Sequence, residues 1–171
     1  MKPICLGVLY LLLAAACAAD VEEDENAVEA ELEDDPELSP IAVFQFDDET
    51  HALGTFPMNW YQAELMCAAQ GYSLVSINSE EDFAAIRKFV TTTAKGFLSQ
   101  LKQPVWTSGT NQAYTSIYTW HDTGAFVAYD NFETNPPSSG ARCIGVHPLN
   151  GVWTTHSCSE QRYFICKKRA C

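Results

Sequence analysis

"NWYQAELMCAAQGYSLVSINSEEDF", Asn59 to Phe83, decides the architecture because it carries two helix starts, one helix stop and a short strand. Asn59 is an N-cap, and Gln62 three residues on completes a capping box. Gly71 stands just past the last helical position. Trp60, Ala63 and Cys67 recur at i, i+3 and i+7, so one stripe of this helix faces a core. Ser79 caps a second helix whose first turn holds Glu80, Glu81 and Asp82, acids that suit the positive end of the dipole. Phe83, Ile86 and Val90 form its buried stripe. Between the helices, "YSLVSI" reads as a strand.

The chain changes character downstream. From Val105 onward, aromatic and β-branched residues dominate, punctuated by Gly, Pro and Asn, as strands require. "CIGVHPLNGVWTT" places Asn150-Gly151 between two β-prone runs, a hairpin signal. "YFIC" reads as a last strand. His121 to Arg142, with "NPPSSG" inside it, reads as a long surface loop. Two helices followed by strands predict an α+β domain.

The N-terminal flank is a different material. Residues 1–19 have Lys2, an apolar run from Ile4 to Leu13 and small residues after it, the pattern of a signal peptide. The run is shorter than the roughly 20 residues a membrane helix needs, so a secreted, extracellular protein without a membrane span is predicted. Residues 20–40 hold eleven of the chain's 22 acids and no Lys or Arg. That composition predicts a disordered acidic tail or propeptide. Most of the net charge of −12 sits there. Residues 41–171 are nearly balanced, which leaves no footprint for nucleic acid or an anionic membrane. They form one domain of ordinary size.

Cys5 and Cys17 fall in or beside the signal segment, leaving Cys67, Cys143, Cys158, Cys166 and Cys171. No C-x-x-C occurs, and in an exported chain such cysteines predict disulfides rather than a metal site. Four cysteines allow three pairings, and spacing leaves all three open. Cys171 is left over, so a free thiol or a disulfide-linked dimer through it is expected. No G-x-S-x-G, H-E-x-x-H, P-loop or dinucleotide motif occurs. His51, His121, His147 and His156 stand alone. No enzyme is predicted.

The segments "NWYQAELMCAAQGYSLVSINSEEDF", "VWTSG", "YTWHDTG", "YDNF", "GVWTTHSC" and "RYFICKK" together resemble a C-type lectin-like domain. The resemblance spans about residues 42–168, and "WTSG" is similar to the spelling in invertebrate members. It implies the two-disulfide C-type lectin-like fold, with helices, antiparallel sheets and a long loop region. The pairings it implies are Cys67–Cys166 and Cys143–Cys158. It also implies recognition of a glycan or protein ligand, in settings such as innate immunity, reproduction or extracellular matrix.

Sugar-binding members of this family hold calcium, which takes roughly 6–8 oxygens, several from carboxylates. At the matching positions this chain has Pro136-Pro137-Ser138, then Ala141 and Arg142 before Cys143, and Thr154-Thr155 after Trp153. None is a carboxylate, so the calcium site is expected to be lost and no metal ligand or other cofactor is predicted. Trp153 then reads as a core residue. The predicted ligand surface is the long loop with its neighbours: Asp130, Glu133, Ser138, Arg142 and Thr154 as polar groups, and Phe126, Tyr129 and Phe132 as apolar ones. Arg142 leads as a forked donor for a carboxylate or sulfate. Two alternatives stay open: a calcium-dependent lectin with displaced ligands, and a structural or inhibitory subunit bridged through Cys171.

Overall fold

A computed structural model describes residues 44–169. The predicted signal peptide, the predicted acidic tail, the predicted domain start at residue 41 and Cys171 lie outside the described residues. Inside them the chain runs β1 (Phe44–Asp47), β2 (His51–Met58), α1 (Trp60–Ala69), β3 (Tyr72–Leu74) and α2 (Glu80–Thr92). A short 3-10 helix (Lys95–Gln100) follows, then β4 (Val105–Tyr114), β5 (Ile117–Trp120), β6 (Cys143–Val146), β7 (Trp153–His156) and β8 (Arg162–Lys168).

Both helix starts form as their sequences require. The Asn59 side chain accepts from the Gln62 amide at 2.9 Å, and the Gln62 side chain accepts from the Asn59 amide at 3.2 Å. Ser79 accepts from the Asp82 amide at 3.2 Å. The stripe Trp60, Ala63, Cys67 is buried, as are Phe83, Ile86 and Val90, and Phe89 joins the second stripe.

The strands form one curled sheet in the order β1-β2-β8-β4-β6-β7, with β3 on β8 and β5 on β4. It separates two apolar clusters. One gathers Trp60, Ala63, Cys67, Tyr72, Trp106 and Phe164 around α1. The other gathers Phe83, Ile86, Phe89, Trp120, Ile144 and Trp153 around α2. The first is packed so closely that a Cβ on Gly54 would lie 2.2 Å from the Phe164 ring. Only glycine fits at that crossing.

Both implied disulfides are present, Cys67–Cys166 from α1 to β8 and Cys143–Cys158 from β6 to the turn after β7. Residues Asn150-Gly151 do close a hairpin between β6 and β7, but through a six-residue connection rather than a two-residue turn. Gly151 supplies the positive φ of 76° there, and its amide donates to the His147 carbonyl at 2.9 Å. The β1–β2 hairpin carries no apolar alternation strong enough to announce itself. It is set by Asp48, whose Oδ1 accepts from the amides of Thr50 and His51 at 3.0 and 2.7 Å.

Candidate functional site

Strand β7 ends the sheet, so one of its edges faces the long loop. Alternation puts Trp153 and Thr155 on one face and Thr154 and His156 on the other. The loop is not wholly free. The Glu133 amide donates to the Trp153 carbonyl and the Trp153 amide to the Asn131 carbonyl, each at 3.0 Å. Trp153 is 1% exposed. It meets Trp120, Tyr129 and Phe132 edge-on at 5.5, 5.9 and 5.4 Å. Trp153 is thus a core residue and also the platform on which the loop rests.

Phe132 divides the surface above that platform. On one side a cleft of about 360 Å³ is lined by Tyr118, Phe126, Asp130, Phe132 and Pro136. On the other a cleft of about 270 Å³ is lined by Thr134, Asn135, Pro137, Thr154, Thr155 and His156. The Tyr118 hydroxyl donates to the Pro137 carbonyl at 3.0 Å and fixes the proline pair between them. Burial pushes the Tyr118 phenol above its ordinary range, so it remains a donor.

The second cleft has a defined hydrogen-bond polarity. An Arg162 guanidinium nitrogen lies 2.8 Å from His156 Nδ1. A guanidinium can only donate, so Nδ1 accepts and the neutral ring keeps its proton on Nε2. That proton is donated to Thr154 Oγ1 at 2.7 Å. The Thr154 hydroxyl hydrogen is then available to a ligand. Burial, and next the charge of Arg162, hold the His156 ring below its usual pKa. Arg162 is itself anchored on Glu160 at 2.7 Å and stacked over Trp106 at 5.4 Å.

Arg142 closes the loop, and its backbone is bracketed by the fully buried Asn111. The Arg142 amide donates to Asn111 Oδ1 at 2.7 Å, and its carbonyl accepts from the Asn111 amide at 3.1 Å. Asn111 Nδ2 also donates to the carbonyls of Thr115 and Gly140, each at 2.9 Å. The Arg142 guanidinium enters no ion pair among the described residues. Its positive charge is felt at both Tyr118 and His156.

The five predicted polar residues therefore do not meet in one cavity. Asp130 lines the first cleft and Thr154 the second. Arg142 acts on residues of both. Glu133 is exposed and tied to Trp153 only through its amide, and Ser138 is exposed and lines neither cleft. The apolar trio also splits: Tyr129 and Phe132 pack on Trp153, while Phe126 stays 64% exposed. Sequence reading missed His156, Tyr118 and Asn111. His156 was reachable, because it shares a strand face with Thr154 two residues earlier. Tyr118 and Asn111 come from a hairpin distant in sequence and carry no local signal.

Residues 56–168 match the family model described as the lectin C-type domain. Dromaiocalcin-1 from Dromaius novaehollandiae is 30% identical over 115 residues, covering 65% of this chain and 77% of that protein. The C-type lectin mosGCTL-7 of Aedes aegypti is 26% identical over 119 residues, with the same two coverages. Among solved structures, the carbohydrate-recognition domain of the mouse scavenger receptor C-type lectin superposes with a TM-score of 0.55. It is 23% identical, and the match covers 73% of this chain and 94% of that one. No described helix is long and apolar enough to cross a membrane. With its sheet order, its two disulfides and a match over most of its length, the chain belongs to the C-type lectin domain family.

Proposed function

We propose that this protein is a secreted, non-enzymatic recognition protein that binds a glycan or protein ligand on its long-loop face without calcium. One observation carries the reading. The corner formed by β7 and the loop presents hydrogen-bond donors and a cation where calcium would need carboxylates. Thr154 offers a hydroxyl hydrogen, the Tyr118 hydroxyl is committed to Pro137, and the Arg142 charge reaches both His156 and Tyr118. A divalent cation in the second cleft would be repelled by that charge and would find only neutral oxygens on the lining residues. These residues do not fit the ion. Among the described residues, no three His, Cys, Asp or Glu side chains come together as a metal set.

The same polarity favours a ligand rich in acceptors, such as a carboxylate- or sulfate-bearing glycan or an acidic peptide. Clefts of this size suit one sugar ring or one side chain each. The ridge of Phe132 between them supplies apolar contact. Screening the purified domain on a glycan array, in calcium and in chelator, tests the reading. Binding that is equal in both buffers and strongest for anionic glycans is the expected result. Binding abolished by chelator would overturn it.

A further inference from the structure

Helix α1 is apolar on the side that should be polar. Its inner stripe is buried, yet outward-facing Leu65 is 71% exposed. Its one charged residue, Glu64, is turned away toward His121 at 3.5 Å. A helix that is apolar all round is normally covered on every side. Beside Leu65 lies a groove of about 630 Å³, walled by Pro57, Met58, Gln62, Met66 and Gln161. None of these side chains ionises.

We propose that a second copy of this chain occupies the groove, in a two-fold symmetric dimer with α1 packed against α1. A symmetric contact brings each patch onto itself, so it must be self-complementary. A charged face would repel its own image. This face is neutral, and its two polar members, Gln62 and Gln161, are amides that both donate and accept. Leu65 stands as a ridge beside a groove lined by two methionines, and methionine adapts to whatever ridge enters.

The last described residue lies beside the same helix. The Arg169 amide donates to the Gly71 carbonyl at 3.4 Å, which seats the end of β8 beside the C-terminal end of α1. Cys171 follows two positions later in the sequence. All four described cysteines are already paired. In the proposed dimer the Cys171 of each copy pairs with that of the other. An oxidant of the secretory pathway that accepts two electrons and two protons would join them as a disulfide.

Light scattering across a concentration series, with gels run with and without reductant, tests the dimer. The intact protein should be dimeric, with a double-mass band that reductant removes. Cys171→Ser should leave a non-covalent dimer. Leu65→Asp should weaken that dimer by at least about tenfold in Kd, while the melting temperature of the dilute, monomeric protein stays unchanged. Ala69→Glu, on the same exposed face, should do the same and decides the matter if Leu65→Asp misfolds. A monomer at every concentration with an alkylatable Cys171 overturns the proposal. So does a dimer unchanged by both substitutions, or a photo-crosslinker at Leu65 that captures a different protein.

Discussion

The two disulfides hold two unlike surfaces. Cys67–Cys166 fastens α1, whose outer face is regular, neutral and apolar. Cys143–Cys158 fastens the base of the loop, whose surface is irregular, polar and positively charged at Arg142. A regular apolar face selects by shape and suits a partner as rigid as itself. A loop face selects by hydrogen-bond direction and suits a ligand that offers acceptors. Physical separation lets one small domain carry both, because each surface is braced by its own covalent tie.

Breaking the ties gives the largest effects. The first disulfide closes a loop of 99 positions and the second one of 15. On the chain-entropy model these restrict the unfolded chain by about 4.7 and about 3 kcal/mol. Replacing Cys67 and Cys166 by Ala should therefore lower stability more than replacing Cys143 and Cys158. Denaturant titration of both variants checks the order. The second pair should also loosen the loop selectively, which hydrogen exchange at residues 131–142 would detect. Equal losses spread over the whole domain would mean that the loop is not braced separately.

Asn111 sharpens the contrast, since it braces the loop without covalent bonds. Asn111→Ala would take the side-chain partner from the Arg142 amide and from the Thr115 and Gly140 carbonyls, which belong to half-buried or exposed residues. Water can reach these groups in part, so the three lost hydrogen bonds should together cost about 1–3 kcal/mol. A loss of stability in that range, without change in the α1 dimer, is the expected outcome. A loss below about 0.5 kcal/mol would mean that water rescues the stranded groups.

The two surfaces also differ in how they can be read from sequence. The helices were legible because caps and periodicity are local: Asn59, Gln62 and Ser79 act within one turn. The last strands and the disulfide pairing were legible through resemblance. The loop face was legible only in its membership. Asp130, Arg142 and Thr154 belong to it, but nothing local tells that Phe132 would divide it or that Ser138 would stand aside. Those facts depend on Trp153 and Asn111 pairing with residues 20 or more positions away. The apolar outer face of α1 shows in the sequence only as Leu65, and a single exposed leucine is common. Only the groove beside it gives it meaning.

At the loop face, Arg142→Ala should leave the fold intact, since Asn111 holds only the Arg142 backbone. Binding to an anionic glycan found on the array should weaken by about 1–3 kcal/mol. Thr154→Val removes the hydroxyl that His156 polarises and should cost about 1 kcal/mol. Calorimetric titration with the same glycan separates the two. If neither substitution changes affinity, the ligand sits elsewhere and the polarity of this corner is incidental to recognition.

The smallest expected effect is none at all, and it concerns calcium. A ligand that binds only the native state stabilises it by RT ln(1 + [L]/Kd), about 2.7 kcal/mol at a hundredfold excess over Kd. For a domain of this size that is a rise of several degrees in melting temperature. The corner at Thr154, Thr155 and His156 offers no carboxylate, and Arg142 adds a charge of the wrong sign. Millimolar calcium should therefore leave the melting temperature where chelator leaves it. A substitution toward the missing chemistry makes the null result informative. Thr154→Asn with Thr155→Asp supplies ligand oxygens but keeps Arg142, and it should still show little response. Adding Arg142→Glu removes the repulsion and supplies a further carboxylate. If calcium raises the melting temperature only in that triple variant, both the missing carboxylates and the charge at position 142 exclude the ion. A rise already present in the unmodified protein, reversed by chelator, would mean that other oxygens hold calcium and that the two surfaces differ less than their chemistry implies.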